Sequence, residues 1–269
     1  WDKKYLMNLT GRRDGSSRFG SDKRFSNFGS IGSAYVFSEE ELIKNTWPWL
    51  SFGKLRASYG ITGNDQISDY RNMTLYGNYY ATYQDIKGLT LSNLANPELA
   101  WERTNKFEIG LDLGFFKDRI LLNVNYYQNR SSNQLLSYPL SSVTGFGSID
   151  ENLDAKVENR GWEFLLSSRN ISARNFSWLS TLNVSARRNE LLKFDNLENS
   201  SYRNTLVIGK PVYIGKAFEY AGVNPTTGVY EFYTSTGTKT STPSSVTDKN
   251  YLVDRTPDFS GGITNTLNY

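Results

Sequence analysis

The chain has 269 residues, with 30 lysines and arginines against 27 aspartates and glutamates, and contains neither cysteine nor histidine. Those two absences remove disulfides, thiolate and imidazole metal ligands, cysteine nucleophiles and the Ser-His-Asp triad, and with them most enzyme mechanisms. A near-balanced charge without a basic stripe argues against nucleic acid as a partner.

No run of about 18 apolar residues exists, so no transmembrane helix is predicted. A β-barrel shows only alternate residues to lipid, so the low mean hydropathy says nothing against one. The opening Trp1-Asp2-Lys3-Lys4-Tyr5, without initiator Met or signal peptide, and the ending inside a strand at Tyr269 predict a fragment.

Tyr5–Thr10 alternates as a strand and leads into Gly11-Arg12-Arg13-Asp14-Gly15-Ser16-Ser17-Arg18-Phe19-Gly20. Arg12, Arg13, Asp14 and Arg18 there are candidates for a substrate or partner patch. The structural alternative, and the favoured one, is a tight turn in which the glycines supply positive φ and Arg and Asp pair locally. Phe25–Phe37 reads as a second strand. Ser38-Glu39-Glu40-Glu41 reads as a capped helical turn, with Ser38 as cap and Glu41 at the capping-box position. Phe52–Thr62 is a third strand, with Leu55, Ala57, Tyr59 and Ile61 on one face.

Residues 63–100 read as a long polar loop rich in tyrosine. Tyr76, Tyr79, Tyr80 and Tyr83 suit stacking on sugars or gripping a protein partner, or equally packing of the loop on itself. The organising element follows at Lys106–Asn129. Phe107, Ile109, Leu111, Leu113 and Phe115 alternate with charged residues or glycine, and in the second arm Ile120, Leu122, Val124 and Tyr126 alternate with Leu121, Asn123, Asn125 and Tyr127. A Lys117-Asp118 turn sets Phe115 opposite Ile120, Leu113 opposite Leu122, Leu111 opposite Val124 and Ile109 opposite Tyr126, with the apolar faces of both arms on one side. Arms of about ten residues with aromatic ends suit tilted transmembrane strands, and these nine residues are the predicted lipid-facing wall. A soluble sandwich has the same one-sided pattern.

A long connection at 131–154 precedes a second hairpin. Its arms carry Trp162, Phe164 and Leu166, and Trp178, Leu182 and Val184, joined through Arg169–Asn175. A connection at 189–257 then leads to a last strand from Gly261. Short connections after even strands and long ones after odd strands are how outer-membrane barrels are built. The prediction is therefore an all-β, antiparallel barrel segment of about eight strands, with Trp101, Trp162 and Trp178 in an interfacial girdle. Glu102, Glu108, Asp112 and Glu163 show no spacing that singles out a glycosidase pair. Asn64-Asp65 and Asp150-Glu151 lack calcium-loop spacing. No catalytic residue, metal or cofactor is predicted.

Five stretches in order carry a family resemblance: Gly11–Gly20 with Arg24-Phe25-Ser26-Asn27-Phe28; Leu55-Arg56-Ala57-Ser58-Tyr59-Gly60-Ile61-Thr62-Gly63-Asn64-Asp65; Asn96-Pro97-Glu98-Leu99 with Trp101-Glu102; Asn159-Arg160-Gly161-Trp162-Glu163; and Gly222-Val223-Asn224-Pro225 with Thr227-Gly228. Together they resemble the SusC/RagA-type TonB-dependent transporters of the Bacteroidetes outer membrane. The resemblance implies a plugged barrel of roughly 22 strands. It also implies import of oligosaccharides or peptides energised by TonB, and a SusD-like surface lipoprotein as lid. On this reading residues 1–269 are a partial barrel domain without plug, signal peptide or closing strand. The rivals are a soluble carbohydrate-binding β-sandwich and a β-rich glycoside hydrolase.

Overall fold

The computed structural model describes residues 4–269, with the side chains at 80–83 outside the described set. Strands β1 (Tyr5–Gly15) and β2 (Phe25–Tyr35) are followed by a 3-10 turn (Phe37–Glu39) and helix α1 (Glu41–Thr46). Then come β3 (Leu50–Asn64), β4 (Leu75–Tyr83), β5 (Ile86–Asn93), β6 (Glu102–Phe115), β7 (Ile120–Pro139), β8 (Ser148–Ser172) and β9 (Ser177–Phe194). The short strands β10 (Gly215–Ala217), β11 (Glu219–Val223), β12 (Tyr230–Tyr233), β13 (Lys239–Thr240) and β14 (Tyr251–Val253) precede β15 (Ser260–Asn268). One eight-stranded antiparallel sheet runs β1-β2-β3-β6-β7-β8-β9-β15, and β1 and β15 are its open edges.

The central hairpin has the predicted register. Phe115 faces Ile120, Leu113 faces Leu122, Leu111 faces Val124 and Ile109 faces Tyr126. The turn itself is wider than predicted, spanning 116–119, but it is still centred on Lys117 and Asp118, so the pairing does not slip. Phe116, Lys117 and Asp118 all lie in the left-handed region, with φ of 55°, 58° and 61°.

Alternation carries the pattern across the sheet. One face reads Tyr35, Leu55, Leu111, Val124, Phe164 and Val184 in register from β2 to β9, and the next row toward the 140–147 end reads Ala57, Ile109, Tyr126, Trp162 and Ala186. The opposite face reads Ser58, Glu108, Tyr127, Gly161 and Arg187. From Ile120 to Tyr126 the apolar side of β7 covers about 15 Å along the membrane normal, at ~3.3 Å per residue and a ~40° tilt, and ends at the row of Gln128 and Arg160.

Because each wall strand opposes its neighbour, connections fall alternately at two ends. Residues 16–24, 65–101, 140–147 and 195–259 lie at one end, and 36–49, 116–119 and 173–176 at the other. The predicted alternation fails at the first pair, since 36–49 is longer than 16–24. Its extra residues form a shelf, with Trp47 stacked on Trp49 (5.9 Å) and Trp49 on Phe115 (5.7 Å).

Four further expectations are corrected. Ser38 is not the cap of α1: it lies in the 3-10 turn, its buried hydroxyl without a hydrogen-bond partner among the described residues, and Glu40 stands at the N-cap with no side-chain cap bond. The Glu40 carboxylate is instead taken by Lys4 and the Tyr35 hydroxyl, each at 3.0 Å, which ties the turn to the wall. Arg12, Arg13, Asp14 and Gly15 are not a tight turn. They continue β1, paired with Phe28, Asn27, Ser26 and Phe25, and neither flanking glycine has positive φ. Residues 63–100 hold the β4–β5 hairpin, and most of 131–154 is strand. Above the apolar band β7 loses its hydrophobic period, while Leu153, Ala155 and Val157 of β8 alternate with charged residues and pack with Leu191 and Phe194.

Candidate functional site

The polar face is concave. An open trough of about 1130 Å³ runs along it from β1 to β9, lined by Asn8, Ser58, Glu108, Tyr127, Glu163 and Arg187 among others, and Tyr213 reaches it from the 195–259 connection. That connection folds back against the wall: the amide of Leu191 donates to the Lys210 carbonyl, and the Asn189 side chain accepts from the amide of Val212 at 2.8 Å.

Lower in the wall, Arg56 organises the charges. Its Nη1 donates to Glu108 Oε1 at 2.6 Å, its Nη2 to Asn125 Oδ1, and its Nε sits 3.6 Å from Asp112. Asp112 also accepts from Asn123. The bare Gly110 makes this possible, since a Cβ there would lie 2.7 Å from Arg56 Nε. Glu102 accepts from Asn64 and Gln134. Three of the four candidate carboxylates are thus engaged in cross-strand bonds, which is the wiring of a lumen wall.

At the long-loop end the resembling stretches meet. Arg18 Nε donates to Asp69 at 2.9 Å, and its Nη1 donates to the Asp65 carbonyl. Asn152 and Ala100 exchange two bonds of 2.8 Å, and Asn96 donates to the Asp150 carbonyl. Beneath them Phe19 and Leu99, both 0% exposed, pack with Leu135, Ile67 and Trp101. This cluster of apolar residues was not legible as a unit, because its members come from four separate stretches. Trp101 is accordingly not a girdle residue: it packs on Phe19 and Phe28 and donates to the Arg24 carbonyl. Trp162 sits on the apolar face, 5.0 Å from the Tyr126 ring.

The predicted patch divides. Arg12 pairs with Asp14 (3.1 Å), Arg13 covers the Phe25 ring, and Arg18 locks two aspartates, so these residues build the mouth. Tyr76 and Tyr79 lie on the separate β4–β5 ribbon, 63% and 55% exposed. Tyr80 and Tyr83 lie outside the residues whose side chains are described. Asp65 and Asp150 face Arg18 and Arg71, and no cluster of metal-binding side chains occurs among the described residues.

Asp248 holds the far part of the 195–259 connection. Its buried carboxylate accepts from the backbone amides of Ser235 (2.9 Å) and Ser244 (2.8 Å), and these bonds keep it below the usual carboxylate range. Its ionised form is therefore stabilised by folding. That stability is complete above about pH 4, the unfolded value, and is lost as pH falls through the depressed folded one. Hydrogen exchange at residues 234–248 is expected to stay protected near neutrality and to open in acid. Asp248→Ala should open the same residues at neutral pH, and protection unchanged by that substitution would contradict the role.

A sheet with one apolar and one polar, concave face, and its longest loops at one end, is the wall of a membrane β-barrel. The family described as TonB dependent receptor-like, beta-barrel matches residues 1–269, and the chain belongs to it; such receptors are outer-membrane proteins. TonB-dependent receptor P26 of Formosa agariphila is 37% identical over 80% of this chain and 23% of its own length. TonB-dependent receptor SusC of Bacteroides thetaiotaomicron is 31% identical over 74% of this chain and 20% of its own. The RagAB peptide importer in its closed-closed state superposes with TM-score 0.87 at 28% identity, over 99% of this chain and 30% of that one. The chain spans less than a third of each of these relatives.

Proposed function

We propose that the chain is part of a larger barrel that imports oligosaccharides or peptides across the outer membrane, energised by TonB and assisted by a SusD-like lipoprotein. The observation that carries this reading is the open sheet: β1 and β15 expose unpaired edges, which further strands of a closed barrel satisfy. In that barrel the apolar face of β6 and β7 meets lipid and the polar trough lines the lumen. Tyr76 and Tyr79 stand at the mouth, where amphipathic rings suit sugar or lipoprotein contact. The relatives named for SusC and for a peptide importer support the import reading, and RagAB being a peptide importer keeps peptides beside glycans as cargo.

Uptake of fluorescent oligosaccharides and peptides by native cells tests it. Accumulation of one class is expected to need both this receptor and an energised inner membrane. Uptake unchanged by deletion across both classes would overturn the proposal.

A further inference from the structure

The apolar face ends abruptly in charge on β7, β8 and β9. One row beyond Tyr126 and Trp162, the register sets Gln128, Arg160 and Arg188 side by side, and the next row holds Arg130, Glu158 and Glu190. Glu158 is 2% exposed: it accepts from Arg130 Nε (2.6 Å) and Gln128 Nε2 (2.8 Å), and Arg160 Nη1 forms an ion pair with its other oxygen at 3.2 Å. Arg160 Nη2 also lies 3.5 Å from Glu190.

These contacts fix two guanidinium groups without consuming them. Each carries five N–H donors, and the Arg130 and Arg160 side chains remain 55% and 40% exposed. Arg188 is exposed beside them. Three guanidiniums face two carboxylates, so the rim has excess positive charge. A network serving only to bind strands together has no need of that excess. Directly below, Tyr126, Trp162 and Phe164 form a ring shelf, with centroids 5.0 and 6.3 Å apart.

We propose that this rim binds the phosphorylated headgroup of an outer-leaflet lipid, with the guanidiniums on phosphate and the rings against the acyl chains. Fixed, planar guanidiniums match phosphate oxygens in pairs, and a buried carboxylate that pre-orients them lowers the entropy cost of binding. The inference rests on the apolar face being the lipid face.

The test uses the purified native receptor in detergent, with bisphosphorylated lipid A and its dephosphorylated form as probes, read by native mass spectrometry. Retention is expected for the phosphorylated lipid alone. It should weaken about fivefold in Arg188→Gln, which leaves the Glu158 bonds intact, and about 25-fold in Arg160→Gln/Arg188→Gln. Equal retention of both lipids, or no change in either variant, overturns the proposal; so does displacement by equimolar inorganic phosphate, which would make it a site for free anion. A nitroxide at Phe164→Cys in lipid vesicles separates the two levels. High oxygen accessibility without phosphate selectivity defeats the headgroup site alone, whereas low accessibility defeats the lipid-facing assignment beneath it.

Discussion

Leu122→Arg is expected to destabilise the barrel by roughly 2 kcal/mol, the low end of the cost of a guanidinium on the lipid face, since Leu122 lies two residues from the Ile120 end of its strand. Leu122 is paired with Leu113 on one side and Leu166 on the other, and Leu166 in turn with Leu182, so the substitution falls in the middle of a continuous aliphatic row. Asn123→Arg is the control. One residue along, its side chain shares the opposite face with Asp112, where an added cation meets carboxylate and water. Urea unfolding of the native receptor refolded into lipid vesicles measures both. A loss at Leu122 no larger than that at Asn123 would mean that the two faces are assigned the wrong way round.

Phe19→Ala is expected to cost about 3–5 kcal/mol within the mouth, as for other fully buried aromatic rings. The ring lies 5.4 Å from that of Trp101 and is enclosed with Leu99 and Leu135. Its loss leaves a cavity beneath the Arg18 bridges to Asp65 and Asp69. The cluster meets the wall through Leu135, near the loop end of β7, so the effect is expected to be confined to the mouth. Hydrogen exchange should speed up at residues 16–24 and 96–101 while β8 and β9 stay protected. Unchanged exchange at the mouth would show that other contacts hold the loops together.

The two largest effects fall on features that were unequally legible in the sequence. Leu122 could be placed by inspection, since period-2 alternation and a turn centred on Lys117 and Asp118 fix both face and register. Phe19 could not. It sits in a Gly- and Ser-rich stretch with no period, and its partners Leu99 and Leu135 lie far along the chain. The same limit explains β4 and β5, whose polar alternation resembles a loop, and the upper parts of β7 and β8. In β7 backbone pairing persists there without a hydrophobic signature, whereas in β8 the alternation of Leu153, Ala155 and Val157 serves a cluster with Leu191 and Phe194. Arg12, Arg13 and Asp14 show a third kind of limit. Glycines flanking charges suggest a turn, but the hydrogen-bond ladder to Phe25–Phe28 extends the strand instead. The Glu158 network was invisible as a unit, because its members fall on three strands and only the register joins them.

The most direct test of the account is the sidedness of the wall in living cells. Val143 lies at the tip of the 140–147 connection, 92% exposed, and Lys117 at the centre of the short turn at the other end. Single variants Val143→Cys and Lys117→Cys of the native receptor, treated with a membrane-impermeant maleimide on intact cells, are expected to label at position 143 only. Position 117 should react only after the outer membrane is permeabilised. Labelling at 117 on intact cells, or at both positions equally, would contradict a wall that crosses the outer membrane with its long loops outward.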